Sequence, residues 1–146
     1  IFVRGGQVAG EYLGLGSMLD ADGWFPTRDR GYLDSYGYLY LEGRADDVIV
    51  RGGENISPGE IEDVLLEHPA VSDIAVVAIP DEQWGENVGA VIVLKEHHDA
   101  TVAELQEWVK TRLRSSRVPA KIIFKDQLPY NEMGKVLRRL LKKDFS

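Results

Sequence analysis

Two apolar runs of strand length, 74–80 and 88–94, constrain the fold of this chain more than any other feature. A short polar segment containing Asp81 and Gly85 joins them. Two such runs with a loop between them favour an antiparallel pair of strands. Neither run approaches the ~20 residues that a membrane-spanning helix needs. The sequence therefore predicts a hairpin at the centre of a sheet and no membrane span.

Helix signals flank this pair of strands. The segment 57–60 combines a serine N-cap, a proline at the first helical position and a glutamate three residues after the cap. A second capping box at 101–104 opens another helix. Strands are expected at 47–51 and 121–124, and a basic helix follows the second of them. The order β-α-β-β-α-β-α predicts a compact α+β domain, in which helices pack on a small three-stranded sheet.

A different composition marks the first part of the chain, which is rich in Gly, Tyr and Asp. Short alternating pieces at 1–4 and 38–42 predict strands between dense turn signals. This segment fits a piece of a larger sheet, and the absence of a starting Met predicts that the chain is a fragment. A polar junction at 44–47 separates residues 1–45, the expected β-rich end of a large N-terminal domain, from a C-terminal domain at 46–146.

Charge and cysteine content exclude several classes of function. Lys and Arg number 17 against 24 Asp and Glu, so the net charge is −7. That balance argues against a nucleic-acid-binding protein. The absence of cysteine excludes disulfide scaffolds, thiolate metal sites and cysteine nucleophiles, and it fits a cytoplasmic location. The three histidines lack metal-ligand spacing, so no metal site is predicted within the chain.

Several residues are candidates for chemistry, and each has a plain structural alternative. Lys135 follows a glycine-containing loop and could reach an anionic ligand, or it could be a solvated lysine beside the basic helix. Arg44 could bind ribose or phosphate, or it could belong to a surface ion-pair cluster with Asp46. The pair Gly52 and Gly53 could allow close approach of a ligand, or it could form a simple turn.

Trp84 and two glutamates complete the candidates. Trp84 lies in a loop and could stack on an adenine ring, or it could cover the small core. Glu60 and Glu62 are interpreted as a helix cap and a solvated residue, not as an acid–base pair.

Taken together, in their order along the chain, these candidate residues and the motifs around them resemble those of the AMP-forming adenylating enzymes. That family includes acyl-CoA and aryl-CoA synthetases, peptide-synthetase adenylation domains and luciferases. The matching blocks cover essentially the whole chain. The sequence Gly-Gly-Glu-Asn-Ile in the second block is most similar to the corresponding sequence of CoA ligases. The blocks are 23–29 with 37–44, then 43–62, then 128–135.

The resemblance implies a two-step reaction. ATP and a carboxylate would form an acyl-adenylate and pyrophosphate, and the thiol of CoA would then release acyl-CoA and AMP. It also implies that this chain is the C-terminal part of a larger ligase. The large N-terminal lobe would be its partner and would hold the phosphate loop, the adenine pocket and the acyl pocket. Mg²⁺ is expected with ATP, through ligands outside this chain.

The resemblance assigns roles by position for the first step. Asp29 matches the aspartate that accepts hydrogen bonds from the ribose hydroxyls of ATP, and Arg44 matches an arginine near the same ribose. Asp46 matches the hinge about which the small domain turns between the two half-reactions. Lys135 matches the catalytic lysine, whose charge would bridge the carboxylate and the α-phosphate of ATP or AMP.

The resemblance also assigns a CoA-binding group. Gly52, Gly53 and Glu54 match the loop that faces the active site in the second step and lines the tunnel for the pantetheine arm. Trp84 is a candidate platform for the adenine of CoA, and Arg117 is a candidate for its phosphate site.

Two departures from the family pattern bear on these roles. The common Thr-Gly-Asp of the first block is Thr27-Arg28-Asp29 here, which puts a bulky charged residue beside the ribose. The usual Tyr-Lys-x-Pro is 116–119, Ser-Arg-Val-Pro, which lacks the aromatic residue. The first departure puts the local backbone in question, and the second weakens the assignment of Arg117.

Two other functions are compatible with the residues. A related adenylating enzyme could load the phosphopantetheine of a carrier protein in place of CoA. The isolated chain could also be a non-catalytic nucleotide- or CoA-binding module, and it is expected to have no ligase activity by itself. The carboxylate substrate, fatty or aromatic, and the oligomeric state stay open.

Overall fold

The computed structural model describes residues 1–8, 11–12 and 16–145, with the backbone alone at 11–12, 16, 42–44 and 46. Contacts divide the chain into two compact units, Ile1–Asp46 and Asp47–Ser146. The assignment of the first unit to a large N-terminal domain stays a prediction.

The first unit consists of short antiparallel ladders. β1 pairs with β4, β2 with β3, and β5 with β6. Strands therefore form at both predicted places, and the tyrosine rings of Tyr32 and Tyr40 stack on neighbouring strands with centroids 5.1 Å apart. The strands are β1 (Phe2–Val3), β2 (Glu11–Tyr12), β3 (Gly16–Ser17), β4 (Phe25–Pro26), β5 (Asp29–Leu33) and β6 (Leu39–Arg44).

The second unit is built on a five-stranded sheet. The two apolar runs form the predicted hairpin, β9 and β10, and β11 adds in parallel to the opposite edge of β10. The predicted sheet had three strands, whereas pairing of β7 and β8 extends it to five. β7 pairs with the same edge of β10 as β11 does, at Arg51 and Gly85, and β8 pairs with β7 in antiparallel fashion. The bounds are β7 (Ile49–Arg51), β8 (Glu54–Ile56), β9 (Val71–Asp81), β10 (Gly85–Leu94) and β11 (Lys121–Phe124).

Three α-helices accompany this sheet: α1 (Pro58–Leu66), α2 (Val102–Lys110) and α3 (Arg138–Leu141). The capping box of α2 forms as predicted, since Thr101 Oγ1 accepts a hydrogen bond from Glu104 N and Glu104 Oε2 accepts one from Thr101 N. At α1, Ser57 is the N-cap residue, but its side chain makes no capping bond. The last helix is shorter than the sequence suggests and tightens into a 3₁₀ turn, Lys142–Phe145.

Both faces of the sheet are buried, because apolar side chains alternate along β9 and β10 between two clusters. The helix-side cluster includes residues of α1 and α2, and the C-terminal cluster includes Leu141 of α3 and Phe145. In β9, Val76 belongs to the first cluster and Val77 to the second. Such two-sided burial explains why both strands read as continuous apolar runs.

The space around Gly89 of β10 is filled by neighbouring side chains. A Cβ at this position would lie 2.6 Å from Ile79 Cγ2 and 3.1 Å from Phe145 Cζ. We expect Gly89→Ala to lower the free energy of unfolding by about 2 kcal/mol, a typical cost of overpacking a core. Urea denaturation measures this change.

The matched control is Gly59→Ala in α1, where the nearest atom to an added Cβ is Ser57 Oγ at 3.8 Å. Alanine there is expected to stabilise the protein by about 0.5 kcal/mol through better helix propensity. A Gly89→Ala variant as stable as the unaltered protein would contradict the packing of Phe145 against β10.

Candidate functional site

The β5–β6 hairpin brings the two ribose candidates together. Asp29 and Arg44 are direct partners in its antiparallel register. The backbone of Asp29 is held on both sides, since its N–H donates to Thr27 Oγ1 at 3.1 Å and its carbonyl accepts from the nitrogen of Ile1 at 2.7 Å. The side chain of Arg44 lies outside the described residues.

Arg28 explains the first departure from the family pattern. Its φ is 62°, in the left-handed region where glycine is favoured. A backbone bond from Ala45 N to Arg28 O, 2.7 Å long, holds this conformation beside the β6 end. The backbone shape that suits glycine is thus kept although arginine occupies the position.

A substitution tests this strain. Arg28→Gly is expected to be about 1 kcal/mol more stable than Arg28→Ala, since a non-glycine residue in this region costs ~1–2 kcal/mol. The control is Arg28→Ala, which removes the same side chain but keeps the strained Cβ. Thermal denaturation compares the two variants. Equal stability of the alanine and glycine variants would show that the backbone there is unstrained.

Asp46, the predicted hinge, lies in a 3₁₀ turn, Ala45–Asp47, at the junction between the two units. Its side chain lies outside the described residues, so its hinge role stays a prediction.

The predicted CoA loop is a tight turn between β7 and β8. Gly52 and Gly53 both have positive φ, 56° and 85°, so the turn favours glycine at both positions. Gly52 N donates to the carbonyl of Trp84 at 2.9 Å. A Cβ on Gly52 would lie 2.6 Å from Trp84 Cε3, whereas no described atom lies within 4 Å of a Cβ on Gly53. The structure therefore places Trp84 against this turn, as neighbours rather than as separate features.

A polar network that the sequence did not indicate holds Trp84. The Arg51 guanidinium lies over its ring, 4.8 Å from the centroid, and Arg51 Nε donates to Asn87 Oδ1 at 3.1 Å. Asn87 Nδ2 donates in turn to Asp81 Oδ2 at 2.8 Å, and Asp81 Oδ1 accepts from Trp84 N. The hydrogen bonds from Asn87 and from Trp84 N hold the pKa of Asp81 below its usual value. Trp84 keeps 40% of its surface exposed, which leaves room for a ligand to stack.

Two carboxylates, those of Glu54 in β8 and Glu60 in α1, contact the Arg117 side chain. Its guanidinium donates to Glu54, and its Nε lies 3.4 Å from Glu60 Oε2. This pairing lowers the pKa of the Glu54 carboxyl and raises that of Arg117. Glu60 is thus an ion-pair partner of Arg117, and it forms no capping box at α1. The role of Arg117 toward a CoA phosphate stays a prediction, and the observed contacts show it holding β8 and α1 together.

Lys135 lies at the end of a hairpin-like loop with several internal bonds. Asn131 Oδ1 accepts from Met133 N at 3.0 Å and from Lys135 N at 2.8 Å, while Asn131 N donates to Lys135 O at 2.8 Å. Gly134 closes the turn with a φ of 75°. The side chain of Lys135 is exposed, and no residue in the described part of the chain forms an ion pair with it. A fixed backbone therefore carries an available positive charge.

Two contacts missed by the sequence attach this loop to β9 and the helix after it to α1. Tyr130 donates its hydroxyl proton to Asp73 of β9, and this bond raises the pKa of Tyr130 to about 12. Arg138 Nη2 lies 2.6 Å from Glu62 Oε1. The prediction that Glu62 is a solvated residue was wrong, because its side chain is only 16% exposed and pairs across the chain. Sequence separations of 57 and 76 residues leave no local pattern for such pairs.

The lysine loop and the CoA candidates are anchored in different clusters. Leu128 and Val136, on either side of the loop, pack in the C-terminal cluster. Ile56 and Val118, near Glu54 and Arg117, pack in the helix-side cluster. Because these clusters lie on opposite faces of the sheet, one small unit presents two separate candidate surfaces.

The described residues contain no group of three or more His, Asp or Glu side chains arranged to hold a metal ion. Among the same residues, no helix combines the length and apolar character needed to cross a bilayer.

Comparison with known proteins decides the family. Residues 60–135 match the family described as AMP-binding enzyme C-terminal domain. This segment is more than half of the chain. The chain belongs to this family. The match begins within α1, spans the β9–β10 hairpin, α2 and β11, and ends at Lys135.

Relatives and solved structures extend the likeness of this AMP-binding enzyme C-terminal domain. The long-chain-fatty-acid–CoA ligase FadD13 of Mycobacterium tuberculosis is 42% identical over 125 residues, which are 86% of this chain and 25% of the relative. The structure of o-succinylbenzoate CoA synthetase (MenE) from Bacillus subtilis with its acyl-adenylate intermediate is 41% identical, with a TM-score of 0.88. It matches over 97% of this chain and 29% of its own.

The ATP-bound structure of MatB from Rhodopseudomonas palustris is similar as well. It is 34% identical, has a TM-score of 0.81, and matches over 88% of this chain and 25% of its own. The chain thus spans between a quarter and a third of the length of these proteins. The α+β fold predicted from the sequence is confirmed as that of the C-terminal domain of adenylate-forming enzymes.

Proposed function

We propose that this chain acts as the C-terminal part of an AMP-forming carboxylate–CoA ligase. The observation that carries the proposal is the presentation of Lys135, exposed and without a described ion-pair partner, on an internally bonded loop of an AMP-binding enzyme C-terminal domain. The named CoA ligases among its relatives support the reaction class.

In the first half-reaction, Lys135 stabilises charge. Negative charge develops on the carboxylate oxygens and on the α-phosphate of ATP as the acyl-adenylate forms and pyrophosphate leaves. A fixed ammonium group near these oxygens lowers the barrier without transferring a proton. Asp29 and Arg44, partners in the β5–β6 register, hold the ribose of the same nucleotide. Mg²⁺ would accompany ATP through ligands outside this chain.

In the second half-reaction, the Gly52–Gly53 turn faces the acyl-adenylate. Its lack of side chains leaves space for the pantetheine arm of CoA, whose thiol attacks the acyl carbon and releases AMP. Trp84 stacks on the adenine of CoA, and Glu54 fixes the turn through its pair with Arg117. Rotation about Asp46 exchanges the lysine loop for this turn, since the two lie on different elements of the domain.

The test uses the native polypeptide that contains these residues. Its intact mass is measured first, and a value several times 16.3 kDa is expected for a complete ligase. A panel of fatty and aromatic carboxylates is then screened for ATP-dependent pyrophosphate release, with CoA, a phosphopantetheinylated carrier protein or no acceptor added. Formation of acyl-CoA and AMP supports the proposal.

The other outcomes separate the alternatives. Acyl transfer to the carrier protein but not to CoA indicates an adenylating enzyme of the carrier-loading type. Absence of pyrophosphate release with every carboxylate, together with a native mass near 16.3 kDa, indicates a nucleotide- or CoA-binding module. A cytoplasmic location is proposed on the absence of cysteine alone.

A further inference from the structure

Arg138 makes contacts that the proposed reaction does not use. Its Nη2 lies 2.6 Å from Glu62 Oε1 of α1, and its Nε donates to the carbonyl of Val76 in β9 at 3.2 Å. Its Nη1 lies 3.7 Å from Asp47 Oδ2. Glu62 Oε1 also accepts a hydrogen bond from Val76 N at 2.7 Å. One guanidinium thus joins three segments that are far apart in the sequence.

The surroundings of this contact favour a lasting interaction. The side chains of Arg138, Glu62 and Asp47 are 21%, 16% and 26% exposed. Partly buried charge pairs are screened less by salt than surface pairs, and the planar guanidinium can bond several acceptors at once. The neighbouring Arg139 is exposed and forms no ion pair within the described part of the chain. The two arginines therefore differ in contacts although they are adjacent.

The position of Arg138 relative to Lys135 and Asp46 suggests its role. Between Lys135 and Arg138 the chain is held by a bond from Leu137 N to Pro129 O, 2.8 Å long, and by the bridge between Tyr130 and Val136. At its other end, Arg138 contacts Asp47, the first residue of the second unit, which follows the proposed hinge. A short, bonded path therefore connects the lysine loop with the residue after the hinge.

We infer that Arg138 is a positioning residue that couples the Lys135 loop to the segment following the hinge. The loop and Asp47 then turn as one body, and each rotation brings Lys135 to the same place. This inference rests on the proposed function for its kinetic consequence, but the coupling itself is a physical property of the unit.

The test compares Arg138→Gln with Arg139→Gln in the native polypeptide, at a temperature where circular dichroism shows both variants folded. Arg138→Gln is expected to lower kcat for pyrophosphate release about tenfold, with KM for the carboxylate within about threefold, because a small misplacement of a catalytic group reduces rate more than binding. Transfer from preformed acyl-adenylate to CoA is expected to change less. Arg139→Gln is expected to leave both steps within about twofold of the unaltered protein.

Hydrogen exchange supplies a readout that does not depend on activity. The amides of Gly134 and Lys135, which donate to Asn131, are expected to exchange about tenfold faster in Arg138→Gln than in Arg139→Gln, since the loop loses its attachment. If the unaltered polypeptide releases no pyrophosphate, the proposed function fails, and the exchange rates alone decide the coupling. Equal exchange in the two variants, or equal kinetics where activity exists, overturns the inference.

Asp47→Asn provides a second variant if Arg138→Gln does not fold. It removes only the contact beside the hinge and leaves the bonds of Arg138 to Glu62 and Val76. Its expected effect is a loss of about threefold in adenylation rate, within the range of coupling between neighbouring groups. Asp63→Asn, which removes an exposed carboxylate of α1, is the charge-matched control. An Asp47→Asn variant with the adenylation rate of the control contradicts the inference.

Discussion

Replacing Lys135 by alanine is expected to lower the rate of acyl-adenylate formation by about 10²–10³-fold, the usual cost of removing one group that stabilises transition-state charge. The effect follows from the exposed ammonium group on a loop held by the Asn131 bonds. Alanine at this position keeps the backbone donor, so the loop keeps its shape. Pyrophosphate release by the native polypeptide measures the step.

The second half-reaction distinguishes this role from general damage. Transfer from preformed acyl-adenylate to CoA is expected to fall less than about tenfold in Lys135→Ala, because that step uses the opposite surface of the domain. Lys143→Ala removes an exposed lysine from the last 3₁₀ turn and is the matched control for charge. Equal losses in the two half-reactions of Lys135→Ala would refute the assignment of Lys135 to adenylation.

Gly53→Leu is expected to produce the reverse asymmetry. Thioester formation should fall by about 100-fold while adenylation stays within about threefold, since a misfitted reactant loses its near-attack geometry. No described atom lies within 4 Å of a Cβ at Gly53, so the leucine displaces no described part of the domain. Its bulk acts instead on what approaches the turn from outside, which under the proposal is the pantetheine arm.

Gly53→Ala is the control for backbone strain. The φ of 85° costs alanine and leucine a similar ~1–2 kcal/mol, so the difference between the two variants reports bulk alone. Gly52→Ala differs from both, because its Cβ would collide with Trp84 and would destabilise the turn itself. Single-turnover transfer from acyl-adenylate to CoA measures the effect. A Gly53→Leu variant that transfers as fast as Gly53→Ala would show that the tunnel does not pass Gly53.

Local sequence patterns predicted most elements of the second unit. The Thr101–Glu104 capping box forms as expected, and the strand Lys121–Phe124 has the expected bounds. Both depend on interactions between near neighbours in sequence, which a pattern can report. β8 was missed because its three residues, Glu54–Ile56, contain one apolar side chain, and only pairing with β7 makes them a strand.

The sequence predicted which residues belong to the candidate site better than it predicted which of them lie next to each other. Gly52 and Trp84 were interpreted as separate features, whereas the carbonyl of Trp84 accepts a bond from Gly52 N. Arg51 and Asn87, which hold the indole, carried no sequence signal because polar residues at strand ends are common and their partner lies about 36 residues away. The family resemblance, not spacing, supplied the roles of Asp29, Arg44, Asp46 and Lys135.

The sequence by itself determined which segments form strands and helices, and its motifs identified the adenylate-forming family. It could do so because apolar periodicity, caps and turn glycines act over a few residues. The tertiary structure alone decided that the residues beside the lysine loop pack in the C-terminal cluster, while Ile49 and Ile56, which flank the glycine turn, pack in the helix-side cluster. It also decided that Arg138 joins Glu62 and Asp47. These arrangements depend on how distant segments pack, and the alternation of side chains along β9 and β10 assigns each segment to its face.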